Sequence, residues 1–537
     1  MIHQRFNYSY FFLVAIIILM IIVRLFYISD PLLDFHSFRQ TQTAITAYYL
    51  AQNDLSLSSL LFYETPVLGY PWQIPMEFPL YQYIGALIFK VLNIFADTKL
   101  DLVLRLESIL LFFGTSFFLF KLTRITTSRE VAVWTLILYL ISPFSIEWSR
   151  DAMIEPLANF LGLAFILIFI KSLEKNNTKI LLQLMTTGTL LCLTKITTAV
   201  PCYFFCFCYL LFSKNADFSK NFSKHWFFYL ILSLACIIPL FLEFLYVHWT
   251  DTIKENTLGF FLTSRELNEW NFGTVTQRFT LSNWIQIFSR FYTHWPNQLL
   301  LFAFFFNVCF GLKINPVYWK TFLISTGSVL VAITVFFNLY FVHTYYYFAV
   351  FPFECIALAI CMTNILAILK NSKSAIKRIL LAITASFLFL ISTGDYFNTI
   401  TTETYFNRNI TASDSFSTHI LKVSKVISEN SSPDESVIII GYDWSSAIPY
   451  YSERKALMIP DLLVSKQNPI TKNLKTQFAN VTFRILVIRT SYFQRSEWNK
   501  ILLSISDHYQ LKVLEELQGT IVIKLEDKRT TNLSENT

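Results

Sequence analysis

Long apolar blocks, rather than a periodic pattern, dominate this sequence of 537 residues. A helix that is apolar on every side belongs in lipid or in a very large core, and about 20 such residues span a bilayer. Hydrophobic residues make up 54% of the chain and charged residues only 15%, whereas soluble domains have about 25% charged residues. The sequence therefore predicts a polytopic membrane protein that is mainly α, and its net charge of +7 does not indicate nucleic-acid binding.

About eleven apolar segments are long enough to cross a membrane. The first resembles a signal peptide, but its apolar run is too long and no small-residue cleavage site follows, so we expect a retained helix. The predicted spans are 10–28, 103–121, 129–144, 155–171, 179–195, 197–213, 226–247, 298–312, 320–341, 345–369 and 377–393.

The distribution of basic residues predicts the topology, because Lys and Arg concentrate in cytoplasmic loops. With the basic loops inside, the segments 29–102, 145–154 and 248–297 lie on the outer face, which in a bacterium is the outer face of the inner (plasma) membrane. This topology requires 79–96 to lie along the membrane surface; the alternative is that this segment spans, which would invert the downstream orientation. The basic loops are 121–129, 171–179, 214–224, 313–320 and 370–378.

Composition changes after the last apolar block. We expect a transmembrane domain over 1–394, with the outer loops 29–102 and 248–297, followed by a soluble α/β domain over 395–537 on the extracytoplasmic side. Short apolar runs in this domain predict buried strands, and amphipathic stretches predict helices. The strands are expected at 436–441, 484–489 and 520–525, and the helices at 422–430 and 494–506.

A polar cluster follows the first span directly, where five polar side chains crowd into nine positions at the membrane surface. Such clusters are energetically expensive near lipid and usually have a function. A carboxylate beside His and Arg suits proton abstraction next to a phosphate. The alternative is a hydrated helix start with Asp34 as the N-cap. The cluster consists of Asp34, His36, Arg39, Gln40 and Gln42.

A second polar group lies at the outer end of a predicted span, at Arg150, Asp151 and Glu155. Asp151 and Glu155 are four residues apart and are therefore expected to share one helix face, where they could bind a metal ion or sugar hydroxyls. The alternative is an ordinary helix N-terminus, which favours acids through its dipole. Lys195, between two apolar spans, could neutralise a lipid phosphate or simply extend to the interface.

Two further outer segments contain candidate binding residues. His343 and Tyr346 belong to a run with three consecutive Tyr residues, and Tyr is the expected residue at a membrane interface. Glu77 is flanked by prolines in an otherwise apolar loop, so it is either a substrate or metal ligand or a solvated loop acid.

The sequence lacks the motifs of several common nucleotide-binding and metal-binding sites. Only 12 glycines occur in the chain, and no glycine-rich phosphate loop, HExxH or CxxC pattern is present, so a nucleotide sugar or nucleotide cofactor is not expected. The eight cysteines lie in or beside apolar blocks and form neither a disulfide framework nor a zinc pattern. No cofactor is predicted with certainty, although a divalent metal is compatible with the acids above.

The motif DFHSFRQTQTA at 34–44, together with the segments to about residue 210 and the His-x-Tyr-Tyr at 343–346, resembles the GT-C class of glycosyltransferases. The nearest members are family 39, the protein O-mannosyltransferases and aminoarabinose transferases of lipid A. In that family an acidic motif in the first outer loop, often Asp-Glu, supplies the catalytic base. Asp34 matches this position, but Phe35 and His36 replace the second acid. The family's later acid would fall on Asp151 or Glu155.

The resemblance implies transfer of a sugar from a polyprenyl-phosphate donor, among the membrane lipids, to a glycan, lipid or protein acceptor of the cell envelope. Asp34 would deprotonate the acceptor, and Arg39, Arg150 or Lys195 would stabilise the leaving phosphate. His36 would orient Asp34 or bind the donor. One alternative is an O-antigen-type ligase or polymerase, which would place its key residues in a late loop such as 248–297. Another is a transporter, which would need mid-membrane charges.

Overall fold

A computed structural model describes residues 2–175, 177–212, 218–295, 297–371, 374–376, 379, 415–461, 476–490 and 502–528. Within these residues, the contacts divide the chain into two compact units. The helical unit comprises 1–28, 105–246 and 268–408, and the sheet-containing unit comprises 29–104, 247–267 and 409–537. The predicted domain boundary at 394–395 lies outside the described residues.

Apolar helices coincide with ten of the eleven predicted spans, and 377–393 lies outside the described residues apart from Ile379. In the described part of the chain, five of these helices are long and apolar enough to cross a membrane. The mainly α membrane architecture predicted from the sequence is thereby confirmed. The helices are Ile2–Leu25, Leu100–Thr126, Arg129–Ile141, Glu155–Glu174, Thr178–Thr194, Ile196–Phe212, Phe218–Glu255, Asn297–Phe306, Pro316–Val335 and Phe351–Asn371.

Several predicted spans are interrupted, among them 320–341 and 345–369. The helix Pro316–Val335 stops before Phe336, and a separate short helix, Phe337–Val342, follows. The predicted span 345–369 begins with a 3-10 turn, Tyr345–Ala349, before the helix Phe351–Asn371. Hydropathy cannot detect such breaks, because it measures the apolar character of a window and not its backbone geometry.

Hydrogen bonds within the helical unit follow the rules of an apolar environment, in which polar groups must find partners inside the protein. Hydroxyl groups such as those of Ser116 and Thr123 donate to carbonyls four residues earlier. Asn364 donates to the side chain of Asn307 at 3.1 Å, and Asn159 donates to the carbonyl of Phe348 at 2.8 Å. These amide bonds tie helices together where apolar contacts alone give little specificity.

In the sheet-containing unit, the segment 79–96 forms the helix Leu80–Asn93. Its 14 residues extend about 21 Å, less than the roughly 30 Å of a bilayer core. Tyr81 and Ala86 are buried, whereas Leu87 and Val91 are exposed. A short helix with one buried face and apolar residues on the other suits a position along the membrane surface. Other helices of the unit include Ser37–Gln52, Ser415–Glu429 and Ala447–Ser452.

The C-terminal residues form a five-stranded mixed sheet in the order β2-β1-β3-β5-β4. The strands β1, β2 and β3 are parallel, and β5 is antiparallel to both β3 and β4. The predicted α/β character of this region is therefore confirmed. The predicted helix at 494–506 lies largely outside the described residues. The strands are β1 (Ser436–Ile440), β2 (Ala456–Ile459), β3 (Phe483–Arg489), β4 (Tyr509–Leu517) and β5 (Thr520–Asp527).

The segment 66–68 covers the edge strand β2. The backbone of Ala456 and Met458 donates to the carbonyls of Pro66 and Val67, and Leu68 forms an antiparallel bridge with Leu457. An uncovered edge strand would expose unpaired backbone groups. The neighbouring Gly69 has a φ of 80°, and a Cβ there would lie 2.7 Å from Gln477, so both conformation and space favour glycine at this turn.

Candidate active site

The first polar cluster stands at the start of the helix Ser37–Gln52. His36 occupies the N-cap in a left-handed conformation, with φ 49° and no side-chain cap bond. Asp34 is therefore not the N-cap. Its carboxylate instead accepts a hydrogen bond from Gln40, whose Nε2 donates to Asp34 Oδ1 at 2.6 Å and to the carbonyl of Phe35 at 2.7 Å. Gln40 is fully buried and thus fixes one oxygen of the half-buried Asp34.

Glu77 is a partly buried loop acid with a cationic partner. It forms an ion pair with Arg39, and the hydroxyl of Tyr63 donates to its backbone carbonyl. Arg39 also donates to Gln42 Oε1 at 2.7 Å. The side chains of Arg39 and Glu77 are 24% and 18% exposed, so this pair retains contact with solvent. In the sheet-containing unit, five predicted residues thus form two hydrogen-bonded groups. Asp34 pairs with Gln40, and Arg39 contacts both Gln42 and Glu77. His36 follows Asp34 by two residues in the chain.

In the helical unit, Lys195 pairs with Glu155, a residue 40 positions away. Glu155 is the first residue of its helix, and Lys195 separates the helices Thr178–Thr194 and Ile196–Phe212. The two side chains are only 8% and 5% exposed, so Lys195 does not extend to an interface. Its ammonium also lies 5.1 Å from the ring of Tyr345 and 4.8 Å from that of Tyr346, within cation–π range.

Asp151 does not share a helix face with Glu155, contrary to the spacing argument. Residues 151–154 form bends, and the helix begins only at Glu155. The backbone carbonyl of Asp151 accepts a hydrogen bond from Ser108 at 2.7 Å, while Arg150 donates to the carbonyl of Tyr27 at 2.8 Å. Both side chains are 2% exposed, and the hydrogen bonds of this segment link it to neighbouring helices.

His343 lies among aromatic rings between the short helix Phe337–Val342 and the 3-10 turn. Its ring centroid is 5.2 Å from that of Tyr345, 6.3 Å from that of Tyr346 and 5.8 Å from that of Trp270. Because the same Tyr pair faces Lys195, four predicted residues of the helical unit form one continuous group. These are Glu155, Lys195, His343 and Tyr346.

Several buried charged or titratable residues escaped the sequence predictions, among them Arg24, His294 and Glu354. Arg24 is fully buried and donates to Ser149, Ser145 and the carbonyl of Leu140. His294 contacts Glu354 at 2.9 Å, and both are nearly inaccessible. Arg24 and Glu354 each interrupt an apolar run, which is the sequence signal that could have identified them.

The described residues contain no group of three or more His, Cys, Asp or Glu side chains arranged to hold a metal ion. Carboxylates in both units instead pair with a cation or an amide: Asp34 with Gln40, Glu77 with Arg39, and Glu155 with Lys195. The sheet-containing unit therefore offers an oriented carboxylate, which suits proton abstraction, and each unit offers a paired cation, which suits the binding of an anion.

Comparisons with known proteins agree with this architecture. Residues 75–242 match the family model for dolichyl-phosphate-mannose-protein mannosyltransferases. A search for similar curated proteins found no match. The crystal structure of ArnT from Cupriavidus metallidurans bound to undecaprenyl phosphate is similar at TM-score 0.55 and 11% identity, covering 96% of this chain and 98% of that chain.

A second solved structure is the oligosaccharyltransferase of Archaeoglobus fulgidus in the apo form, with TM-score 0.55 and 12% identity, covering 95% of this chain and 74% of that chain. At these identities the structural likeness establishes the fold. The predicted resemblance is thereby confirmed: this integral membrane protein has the fold of the GT-C glycosyltransferases, and its residues 75–242 match the model of the dolichyl-phosphate-mannose-protein mannosyltransferase family.

Proposed function

We propose that this protein is a membrane glycosyltransferase that moves a sugar from a polyprenyl-phosphate donor to an envelope glycan, lipid or protein. The reaction takes place on the outer face of the bacterial inner membrane, and the C-terminal domain is extracytoplasmic. The observation that carries this proposal is the GT-C fold over 96% of the chain, shared with an ArnT that binds undecaprenyl phosphate.

Asp34 is the proposed general base. A base must present its carboxylate in a fixed orientation to the proton that it removes. The fully buried amide of Gln40 holds Asp34 Oδ1 at 2.6 Å and restricts rotation of the side chain. Asp34 then takes the proton of the acceptor hydroxyl or amine as the acceptor attacks the anomeric carbon, and the bond from that carbon to the donor phosphate breaks.

Stabilisation of the departing phosphate falls to the cations, because charge develops there as the bond breaks. Lys195 is the leading candidate: it is 9% exposed, and a cation acts more strongly in a water-poor environment than in solvent. Glu155 neutralises the charge of Lys195 when the donor is absent, and the rings of Tyr345 and Tyr346 lie next to the ammonium group. Arg39 and Arg150 are further candidates.

A second candidate function is transfer of a preassembled oligosaccharide. It is supported by the similarity to the archaeal oligosaccharyltransferase and belongs to the same chemical class. The two functions differ in the donor: a single sugar on a lipid monophosphate, or an oligosaccharide on a lipid carrier.

The substitution Asp34→Asn tests the proposal because it keeps the shape of the side chain and its contact with Gln40 but removes the base. We expect kcat to fall about 10²- to 10⁴-fold, the range for loss of a general base. The assay is release of undecaprenyl phosphate from undecaprenyl-phosphate sugars by purified protein.

The matched control is Asp54→Asn, an exposed acid beyond the end of the same helix, which should retain full activity. Full activity of Asp34→Asn would remove Asp34 as the base. If the wild type released no lipid phosphate from monosaccharide donors but did so from an oligosaccharide donor, the second candidate would replace the first.

A further inference from the structure

A tyrosine hydroxyl of the C-terminal region reaches the segment that carries Asp34. The backbone amide of Leu32 donates to Tyr451 Oη at 2.6 Å, and this hydroxyl donates in turn to Asp101 Oδ2 at 2.9 Å. Leu32 is fully buried and Leu33 nearly so. A buried backbone amide requires a partner, so the phenol of Tyr451 fixes the chain two residues before Asp34.

Neighbouring contacts attach the rest of the loop and its helix to the same C-terminal residues. Ser417 donates to the carbonyl of Leu33 at 3.4 Å. The rings of Phe38 and Trp444 meet edge to face with centroids 4.6 Å apart. The hydroxyl of Tyr48 donates to Glu453 at 2.9 Å. The segment around Asp34 is therefore held on both sides, before and after the carboxylate.

Tyr450, the preceding residue, provides an internal comparison. Its hydroxyl donates to the other carboxylate oxygen of Asp101, so both tyrosines share one acceptor. Burial, followed by the negative charge of Asp101, raises the pKa of Tyr450 well above its usual range, which keeps the phenol a hydrogen-bond donor. In the described residues Tyr450 makes no hydrogen bond to Leu32.

The geometry points to Tyr451 as a positioning residue for the transferase reaction: through the backbone of Leu32 it holds the loop that presents Asp34. This inference rests on the proposed function and assigns the C-terminal domain a role as a support for the base. The hydroxyl of Tyr451 contacts both Asp101 and Leu32, and Leu32 precedes Asp34 by two residues.

The test compares Tyr451→Phe with Tyr450→Phe in the full-length protein. Each variant loses one hydroxyl to Asp101, but only Tyr451→Phe also removes the acceptor of the Leu32 amide. We expect kcat of Tyr451→Phe to be about tenfold below that of Tyr450→Phe, since small displacements of a catalytic group reduce turnover strongly. The KM for the lipid donor should change less than about twofold, because substrate contacts remain.

Hydrogen–deuterium exchange of residues 30–36 gives a readout independent of turnover. Exchange in this segment should accelerate in Tyr451→Phe and stay at the wild-type rate in Tyr450→Phe. Equal kcat in the two variants, or unchanged exchange in Tyr451→Phe, would overturn the positioning role.

The two proposals can fail separately. If Asp34→Asn loses turnover while the two tyrosine variants behave alike, only the role of Tyr451 falls. A different result would be that the wild type transfers no sugar but exchange accelerates in Tyr451→Phe alone. Tyr451 would then still be shown to hold the loop, but both the proposed function and a catalytic role for that contact would be rejected.

Discussion

The ion pairs that involve predicted site residues differ in solvent exposure between the two units. In the helical unit, Lys195 and Glu155 pair with 8% and 5% of their side chains exposed, whereas Arg39 and Glu77 in the sheet-containing unit remain 24% and 18% exposed. Removing a charge from water costs several kcal/mol per ion, and a nearby opposite charge must offset this cost. The buried pair is thus far more dependent on its partner than the half-exposed pair.

This difference shows that the burial of an ion pair determines how easily water can replace one of its partners. A half-exposed pair such as Arg39–Glu77 can exchange its partner for water with little change in free energy. The Lys195–Glu155 pair cannot do so, because any anion that binds Lys195 would have to replace a buried carboxylate rather than solvent.

Breaking the buried pair should have the largest effect. Lys195→Met leaves Glu155 buried without its cation, and we expect a loss of about 3–5 kcal/mol in the free energy of unfolding. The measurement is thermal unfolding of the purified protein in detergent. The double variant Lys195→Met, Glu155→Gln removes both charges and should recover most of the stability but no transfer activity. Equal stability of the single and double variants would contradict the dependence of the pair on mutual neutralisation.

Removing an aromatic neighbour of Lys195 should have an intermediate effect. Tyr346→Leu eliminates the ring whose centroid is 4.8 Å from the ammonium, and we expect a loss of about 1–2 kcal/mol in a desolvated setting. Tyr346→Phe is the matched control, because it keeps the ring and should remain within about 0.5 kcal/mol of the wild type. Thermal unfolding of both variants measures the difference, and identical losses would show that the hydroxyl rather than the ring matters.

Breaking the half-exposed pair should have the smallest effect on stability. Arg39→Met is expected to lower the free energy of unfolding by about 1 kcal/mol or less, since solvent can replace Glu77 as a partner. Glu77→Gln should have a similar effect, and high salt should reduce both. A loss in Arg39→Met as large as that in Lys195→Met would remove the contrast between the two regions.

Hydropathy predicted much of the helical unit, because a span must be long and apolar whatever it packs against. The segments 155–171 and 197–213 correspond closely to the helices Glu155–Glu174 and Ile196–Phe212. The break near Phe336 was not predictable, since the residues on both sides are equally apolar. The strand β2 was also missed because its apolar run is only four residues long, and β4 because most of its residues are exposed and give no strong apolar pattern.

The residue types of the candidate site could be predicted, but most of its pairings could not. Asp34 and Gln40 are six residues apart and belong to one motif, so their proximity follows from local structure. Lys195 and Glu155 are separated by 40 positions, and no rule of local spacing joins them. Similarly, nothing in the sequence around Leu32 indicates Tyr451 as its partner, since that contact depends on tertiary packing.

The helix that ends at Glu255 has a consequence for the surrounding bilayer. Its part Trp226–Glu255 has 30 residues, and only 17% of its most apolar stretch is buried within the protein. At 1.5 Å per residue this part measures about 45 Å, while the hydrocarbon core of a bilayer measures about 30 Å. The last turns carry Asp251, Lys254 and Glu255, so these turns extend past the acyl chains, and the exposed apolar side chains before them face lipid.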